Sequence, residues 1–179
     1  FHFGNKRKGN VALLKKLAPE YGYEVVDLEK IATDNEIVSS TRIRKEIKKG
    51  NMEKVTELLE TPYAITSEVL HGQQLGRTIG MPTINQAVAP HKIIPPKGVY
   101  VSRVYLEDGI HGGITNVGTK QLGVETYIFD FSGDLYGKVL KTELLYFVRG
   151  EQKFSGIDAL KEQMYKDKLY GEQYIKSHQ

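Results

Sequence analysis

The sequence lacks several residue types and patterns that would point to particular classes of protein. It contains no cysteine, which excludes a disulfide scaffold, a cysteine-ligated zinc site and thiol catalysis. No apolar stretch reaches the roughly 18 residues that a membrane span needs, and no signal-peptide pattern opens the chain. Basic residues exceed acidic ones by only 25 to 22, too few to indicate nucleic-acid or membrane binding. We therefore expect a cytoplasmic protein.

What is present is an ordinary globular composition, with 40% hydrophobic and 26% charged residues in 179. This length allows one or two domains, each with a hydrophobic core. The chain starts at Phe1 instead of a methionine. We interpret Phe1 as the start of a fragment, or of the ordered part of a longer protein.

The first third of the chain has α/β character. Apolar spacing predicts a helix that starts at Val11 and stops near Gly22, followed by a short buried strand over residues 23–28. Hydroxyl residues at 39–41 suit the start of a second helix that stops at Gly50, and Asn51 can cap a third. Thr61-Pro62 closes that helix, so we place a domain boundary there.

From residue 63 onward, short apolar runs alternate with turn residues, a pattern typical of antiparallel β structure. With no helix between them, the strands favour a closed barrel, which leaves no exposed edge. Hairpin-like turns are expected at residues 107–109 and 132–134, and Ser155 with Asp158 forms a capping-box pattern before a final helix. Six strands are predicted, over residues 64–70, 83–88, 98–106, 113–117, 124–131 and 140–148.

Three glycines, Gly72, Gly76 and Gly80, recur every four residues before the pair Thr83 and Asn85. Glycines let backbone amides approach phosphate oxygens, but the spacing is not that of a Walker A loop. Thr83 and Asn85 lie two residues apart on a predicted strand, so their side-chain oxygens could face one hard cation with its nucleotide phosphates. The alternative is a glycine-rich barrel loop with a purely structural role.

These residues carry a resemblance to a known family. Residues 76–85, Gly-Arg-Thr-Ile-Gly-Met-Pro-Thr-Ile-Asn, resemble riboflavin kinase, and the similarity continues in order through Pro96-Lys97-Gly98, Asn116-Val117-Gly118, Glu125 and Asp134-Leu135-Tyr136-Gly137. Residues 1–4 and 38–44 resemble the end of the FMN adenylyltransferase domain of bacterial bifunctional FAD synthetases. The resemblance therefore implies an adenylyltransferase remnant at residues 1–61 and a riboflavin kinase domain at 62–179.

The resemblance implies a six-stranded barrel that phosphorylates riboflavin to FMN with ATP and Mg2+. It assigns Glu125 as the general base, Thr83 and Asn85 to Mg2+ and the ATP phosphates, and Arg149 and Phe154 to the flavin. In the remnant, Ser40, Thr41 and Arg44 match positions that contact ATP phosphates. The remaining ATP-binding positions are Gly72, Gly76, Arg77, Gly80, Asp134 and Tyr136.

Two of these assignments can also be weighed from the residues alone. On strand 124–131, Glu125 shares a face with Tyr127, Phe129 and Phe131. Such an aromatic setting would disfavour its charged form and poise it as a base. If the aromatic residues face outward, Glu125 is merely exposed. For Arg149 the alternative is a surface ion pair.

The chain departs from the family pattern in places. The upstream His-x-Gly-His motif of the adenylyltransferase is absent, so the chain is not expected to make FAD by itself. Lys120-Gln121-Leu122-Gly123 replaces a longer loop, Gly150 an expected proline and Met81 an expected aromatic residue.

Two other functions stay open. The first is a nucleic-acid-binding barrel, because basic residues cluster within the first fifty positions. The second is a flavin-binding protein without turnover. The segment from Pro82 to Asn85, together with Glu125, argues against both of these functions. We expect only the small molecules riboflavin, FMN and ATP as partners, with no nucleic acid and no membrane.

Overall fold

A computed structural model describes residues 2–72, 75–118 and 123–178. Phe1 and most of the predicted short loop at 120–123 lie outside the described residues, as do residues 73–74 of the glycine-rich segment. The chain forms two compact units, Phe1–Val38 and Ser39–Gln179.

The first unit contains one α-helix and a small two-stranded sheet. Helix α1 (Val11–Tyr21) starts where the side chain of Asn10 accepts a hydrogen bond from the Leu13 amide at 2.9 Å. It ends at Gly22, whose φ of 65° is left-handed, as the sequence predicts. Strands β1 (Ala32–Thr33) and β2 (Glu36–Ile37) pair with each other, and a 3₁₀ turn covers Asn5–Arg7.

The strand predicted at residues 23–28 is wrong. The segment has no regular secondary structure, and Val26 and Leu28 are 73% and 83% exposed. A strand needs a hydrogen-bonded neighbour, and none of the described residues of this unit pairs with the segment. Local apolar content therefore indicated burial that this unit does not provide.

The second unit is a closed antiparallel barrel with flanking helices. Around the barrel the strands follow the order β3-β4-β7-β6-β5-β8. This confirms the six-stranded barrel and the C-terminal helix that the sequence predicts. The elements are α2 (Ser40–Lys49), α3 (Met52–Leu59), β3 (Tyr63–Leu70), α4 (Leu75–Thr78), β4 (Thr83–Ala87), β5 (Gly98–Leu106), β6 (Gly109–Val117), β7 (Gly123–Ile128), β8 (Val139–Gly150) and α5 (Ile157–Ser177).

The connections agree with the sequence in part. Strands β5 and β6 form the hairpin expected at residues 107–109. The hairpin expected at 132–134 is wrong, because β7 pairs with β4 and β6 and not with β8. The predicted Ser155 cap is also wrong, since α5 begins after Gly156 with no side-chain cap, and this places Asp158 in its first turn. Asp158 can therefore favour the helix start only through its charge.

Helices α2 and α3 belong to the barrel unit. Ile47, Met52 and Val55 are buried with Tyr100 and Leu144 in one hydrophobic core. Ser39 caps α2 by accepting a bond from the Arg42 amide at 3.2 Å, and Gly50 ends it at a φ of 80°. The compact unit thus begins before the boundary predicted at Thr61-Pro62. That residues 1–61 derive from an adenylyltransferase domain stays a prediction.

The barrel closes between β3 and β4 with help from a side chain in its interior. These strands pair only at Val69–Gln86 and Leu70–Asn85. The buried Gln86 carboxamide donates to the carbonyl oxygens of Ser67 at 3.2 Å and Leu140 at 2.8 Å, and accepts from the Thr142 hydroxyl at 2.6 Å. Gln86 therefore links β4 to β3 and β8 where the ladder is short, and it fixes the strand that carries Thr83 and Asn85.

Replacing Gln86 with leucine should destabilise the barrel. The change leaves the Leu140 carbonyl and the Thr142 hydroxyl buried without their partner, which costs about 1–3 kcal/mol for each group. We expect the free energy of unfolding, measured by urea denaturation, to fall by about 2–4 kcal/mol. The exposed Gln173→Leu is the matched control and should change it by less than about 0.5 kcal/mol. Equal effects of the two variants would contradict the closing role of Gln86.

Candidate active site

Three polar side chains lie side by side on the outer face of the barrel. Asn85 on β4 is paired in register with Glu125 on β7, and Glu125 with Asn116 on β6. Their chain neighbours Gln86, Val124 and Val117 are buried, so strand alternation turns Asn85, Glu125 and Asn116 outward. Directly paired side chains lie about 5 Å apart at Cβ, so the carboxylate of Glu125 is flanked by two amides.

A cavity of about 800 Å³ opens on this face. Its floor is the outer surface of β4, β7 and β6, which presents Thr83, Glu125 and Asn116. The glycine-rich segment forms one wall, and residues 151–154 with helix α5 form another. The cavity is therefore large enough for a ligand of cofactor size. Its floor carries the Glu125 carboxylate beside the Thr83 hydroxyl and the Asn116 amide.

The glycine-rich segment packs closely against the floor of the cavity. A β-carbon on Gly76 would collide with the Met81 carbonyl oxygen and lie 3.4 Å from the Thr83 methyl group. Gly76 in turn accepts a hydrogen bond from the Met81 amide at 2.8 Å. A β-carbon on Gly72 would overlap the Asn85 carboxamide. Glycine at positions 72 and 76 is thus a packing requirement, because the lack of a side chain lets the chain lie against Asn85 and Thr83.

The connection between β7 and β8 reaches the start of the same segment. The Tyr136 ring stacks on His71, with centroids 3.8 Å apart and an angle of 25° between the planes. The Tyr136 amide donates to the Asp134 carboxylate at 3.0 Å. Tyr136 is therefore brought against His71, the residue before Gly72, and Asp134 accepts a bond from its amide. The assignment of Asp134 and Tyr136 to ATP stays a prediction. His71 went unnoticed in the sequence, because its partner lies 65 positions further along the chain.

The surroundings of Glu125 differ from the aromatic setting that strand alternation predicted. Glu125 is exposed, and of the predicted rings Tyr127 joins it in the cavity. Strand β7 ends at Ile128, so the alternation stops there. Phe129 is buried so close to Gly171 that a β-carbon there would collide with its ring, and Phe131 packs on the second core cluster. Glu125 is thus a solvent-accessible carboxylate between amides.

Arg149 occupies the opposite wall of the cavity. Its guanidinium donates two hydrogen bonds to Asp167 on α5 through Nε, at 3.0 and 3.2 Å, and one through Nη2 at 2.6 Å. Phe154 lies with its ring centroid 5.9 Å from the guanidinium carbon. Arg149 therefore forms an ion pair, which is largely buried and not on the surface, and it also lines the cavity. Its assignment to the flavin stays a prediction. Asp167 carried no motif in the sequence.

Helix α5 also approaches the floor of the cavity through Lys168. Its ammonium lies 5.9 Å from the centre of the Tyr127 ring. Burial acts to lower the pKa of Lys168, but the Tyr127 hydroxyl and the carboxylates of Glu172 and Asp130 act against it, and the net pKa is raised. Lys168 therefore remains a cation at the edge of the site.

The side chains suit a weakly held magnesium ion better than a fully protein-bound metal. No group of three His, Cys, Asp or Glu residues that could hold a metal occurs in the parts of the chain described here. Thr83 and Asn85 offer a hydroxyl and a carboxamide oxygen, which are hard donors. Mg²⁺ commonly keeps several waters and takes its other ligands from substrate phosphates, so two such side chains fit it.

Comparison with known proteins identifies the family. The family model for riboflavin kinase, Flavokinase, matches residues 59–175. The chain belongs to the riboflavin kinase family. The matched range contains the whole barrel, all but the last two residues of helix α5 and every residue that lines the cavity.

Relatives of the chain carry a kinase name joined to a second activity. This chain is 39% identical over 176 residues to the bifunctional riboflavin kinase/FMN adenylyltransferase of Haemophilus influenzae. The aligned part is 93% of this chain and 56% of that protein. The protein of the same name from Bacillus subtilis is 34% identical over 185 residues, which is 98% of this chain and 58% of that protein. The chain thus spans little more than half the length of these relatives.

A solved structure has the same fold over nearly the whole chain. A crystal structure named as a macrolide-efflux protein from Streptococcus pneumoniae superposes with a TM-score of 0.84 at 30% identity, over 96% of this chain and 57% of that one. In the described part of the present chain, no helix is long and apolar enough to cross a membrane.

Residues assigned to the two activities lie at different places in the second unit. Thr83, Glu125, Arg149, Phe154 and Gly76 meet in the cavity. Asn85 joins them through its register with Glu125. Arg77 and Gly80 belong to the turn at the end of α4, outside the residues that line it. Ser40, Thr41 and Arg44 are exposed on the first turns of α2 and do not line the cavity.

Proposed function

We propose that this riboflavin kinase domain transfers the γ-phosphoryl group of ATP to the 5′-hydroxyl of riboflavin, giving FMN and ADP. The row of Asn85, Glu125 and Asn116 beside the glycine-rich segment carries the proposal. In this row a carboxylate lies next to a glycine-rich loop, a type of loop whose backbone amides can approach phosphate oxygens. The cavity beside it is large enough for a flavin. The match of the family to residues 59–175 supports it further.

Glu125 is proposed as the general base. Phosphoryl transfer mostly requires that the nucleophile be positioned and its proton removed, with little covalent work from the protein. Glu125 accepts the proton of the riboflavin hydroxyl as the oxygen bonds to the γ-phosphorus, and the bond to the ADP oxygen breaks. The amides of Asn85 and Asn116 flank the carboxylate and limit its positions.

Thr83 and Asn85 are proposed to hold Mg²⁺ together with the ATP phosphates. A bound Mg²⁺ would supply neutralisation of the charge that develops on the phosphate oxygens. Gly72 packs on Asn85 and Gly76 on Thr83. The loop from Gly72 to Met81 is proposed to cover the nucleotide, and Arg77, Gly80, Asp134 and Tyr136 are proposed to contribute to ATP binding.

The opposite half of the cavity is proposed to hold the isoalloxazine ring. Its wall combines apolar side chains, which suit a planar ring system, with the ion pair of Arg149 and Asp167 and the polar residues 151–153. The apolar residues are Val99, Ile114, Phe154, Leu160 and Met164.

The direct test is to incubate the purified chain with riboflavin, ATP and Mg²⁺ and to quantify FMN by chromatography. We expect FMN to accumulate with time, in proportion to the amount of protein. Omitting ATP or chelating Mg²⁺ should abolish the product. Absence of FMN from a folded protein with all three present would overturn the proposal.

We also propose that a longer protein containing this chain adenylylates FMN to FAD, as the names of the relatives indicate for those proteins. Ser40, Thr41 and Arg44 would then contact ATP phosphates from the first turns of α2, where free backbone amides favour anions. The chain itself lacks His-x-Gly-His, so FAD should not form when it receives FMN and ATP. FAD formation by the chain alone would contradict this assignment.

Riboflavin, FMN and ATP are accordingly proposed as the ligands and the cytoplasm as the location. A nucleic-acid-binding role has less support, since the basic residues of the first fifty positions lie outside the barrel face that carries the cavity.

A further inference from the structure

The ion pair between Arg149 and Asp167 has two unusual features for a contact between a strand and a helix. The side chain of Asp167 is only 4% exposed, and that of Arg149 17%. Gln163, one helical turn before Asp167, donates a further hydrogen bond to the carboxylate at 2.9 Å. Arg149 therefore binds both Asp167 oxygens and Gln163 binds Oδ1 from a second direction, so the carboxylate is held in one orientation.

The guanidinium of Arg149 is equally constrained. Nε and Nη2 bind Asp167, while Nη1 donates to the carbonyl oxygen of Gly150 at 3.1 Å. A planar fork bound at all three nitrogens cannot rotate freely. Its charge is also matched by a carboxylate within 2.6 Å. Arg149 thus presents a flat and largely neutralised surface to the cavity, and this is poorly suited to capturing a free anion.

The same contacts fix the wall that Arg149 begins. Gly150 is the last residue of β8, and residues 151–154 continue directly along the cavity to Phe154. The guanidinium therefore connects three parts of the wall, namely the end of β8, the ring of Phe154 and helix α5. A buried ion pair is a weak source of stability, because removing two charges from water offsets their attraction. Its clearest effect here is to define the position of the wall.

We propose that Asp167, supported by Gln163, is a positioning residue that holds Arg149 and residues 151–154 in the shape that accepts the planar ring of the flavin. This inference rests on the proposed function, since it concerns the riboflavin side of the same cavity. Asp167 acts through Arg149 and takes no part in proton or phosphoryl transfer.

The test is Asp167→Asn, which keeps the shape and removes the charge. We expect KM for riboflavin to rise by about tenfold or more, the order of effect when a buried pair loses one charge. The value of kcat should stay within about threefold and KM for ATP should not change, as for a loss of ground-state binding on one side. Asp108→Asn, an exposed change at the opposite end of β5, is the matched control and should alter none of these values.

A double-mutant cycle separates positioning from an independent role. If Asp167 acts through Arg149, then Asp167→Asn combined with Arg149→Gln should raise KM for riboflavin no further than Arg149→Gln alone. Additive effects would overturn the inference. Gln163→Met keeps the ion pair and removes one support, and it should raise KM by about threefold. It decides the question if Asp167→Asn does not yield folded protein, and an unchanged KM would then refute the role.

Riboflavin binding without ATP distinguishes failure of this inference from failure of the proposed function. Titration of the flavin fluorescence with protein gives the dissociation constant in the absence of turnover. Weaker binding by Asp167→Asn supports the positioning role even if the unmodified chain forms no FMN. Normal FMN formation with unchanged binding by Asp167→Asn leaves the function standing and overturns the inference. Absence of riboflavin binding by the unmodified chain overturns both.

Discussion

Glu125→Gln is expected to lower kcat for FMN formation by about 10²–10⁴, the usual contribution of a positioned general base. Glutamine has the shape of glutamate and can still accept a hydrogen bond from the riboflavin hydroxyl, but it cannot take up the proton. Binding contacts are retained, so KM for riboflavin and ATP should change little. Initial rates of FMN formation over a range of each substrate measure both quantities.

Glu57→Gln is the matched control for this change. Glu57 lies on α3, where its carboxylate binds Lys54 at 2.7 Å on the surface. The control should keep the full rate, because a surface pair of this kind contributes little. A Glu125→Gln protein that keeps the full rate would remove Glu125 as the base, and the kinase activity would then need another proton acceptor.

The sequence predicted the barrel well because its signals are local. Strand β7 alternates between buried and outward residues, as at Val124, Glu125 and Thr126, and turn residues separate one strand from the next. Caps at Asn10, Ser39 and Asn51 act over three residues and could be identified from the chain alone. Closure could be predicted because six strands in an open sheet leave two edges unpaired, and the one-turn helix α4 between β3 and β4 does not prevent it.

The errors arise where the structure depends on distant partners. Residues 23–28 have strand composition, but no strand of their unit pairs with them. The connection at 132–134 contains turn residues, but the barrel order places β8 between β3 and β5. Spacing therefore located turns without telling which strands they join.

The site was predictable to the same extent. Thr83 and Asn85 share a face because they lie two residues apart, and the resemblance supplied Glu125. The register that sets Glu125 between Asn85 and Asn116 depends on three strands and is not visible in any one of them. The stacking of His71 on Tyr136 and the pairing of Arg149 with Asp167 likewise require the folded topology.

Gly72 offers a second strong test, because it touches the proposed phosphate side of the site without being a polar residue. An added β-carbon would lie 2.6 Å from Cγ and 2.7 Å from Oδ1 of Asn85, and closer still to Nδ2. These distances are shorter than any non-bonded contact, so the carboxamide must move. The left-handed φ values recorded for other glycines do not include Gly72, so alanine meets no backbone strain there.

Gly72→Ala should therefore reduce kcat/KM for ATP by about 10²-fold, the loss expected when a positioning group moves by about 1 Å. The free energy of unfolding should change much less, since the end of a side chain absorbs the collision. Gly156→Ala is the matched control, because its β-carbon meets nothing within 4 Å and its φ of 177° is extended. If the effect passes through Asn85, Gly72→Ala should add nothing to Asn85→Ala in the double variant. Additive losses, or a Gly72→Ala protein as active as the control, would show that the carboxamide does not need the position it has against Gly72.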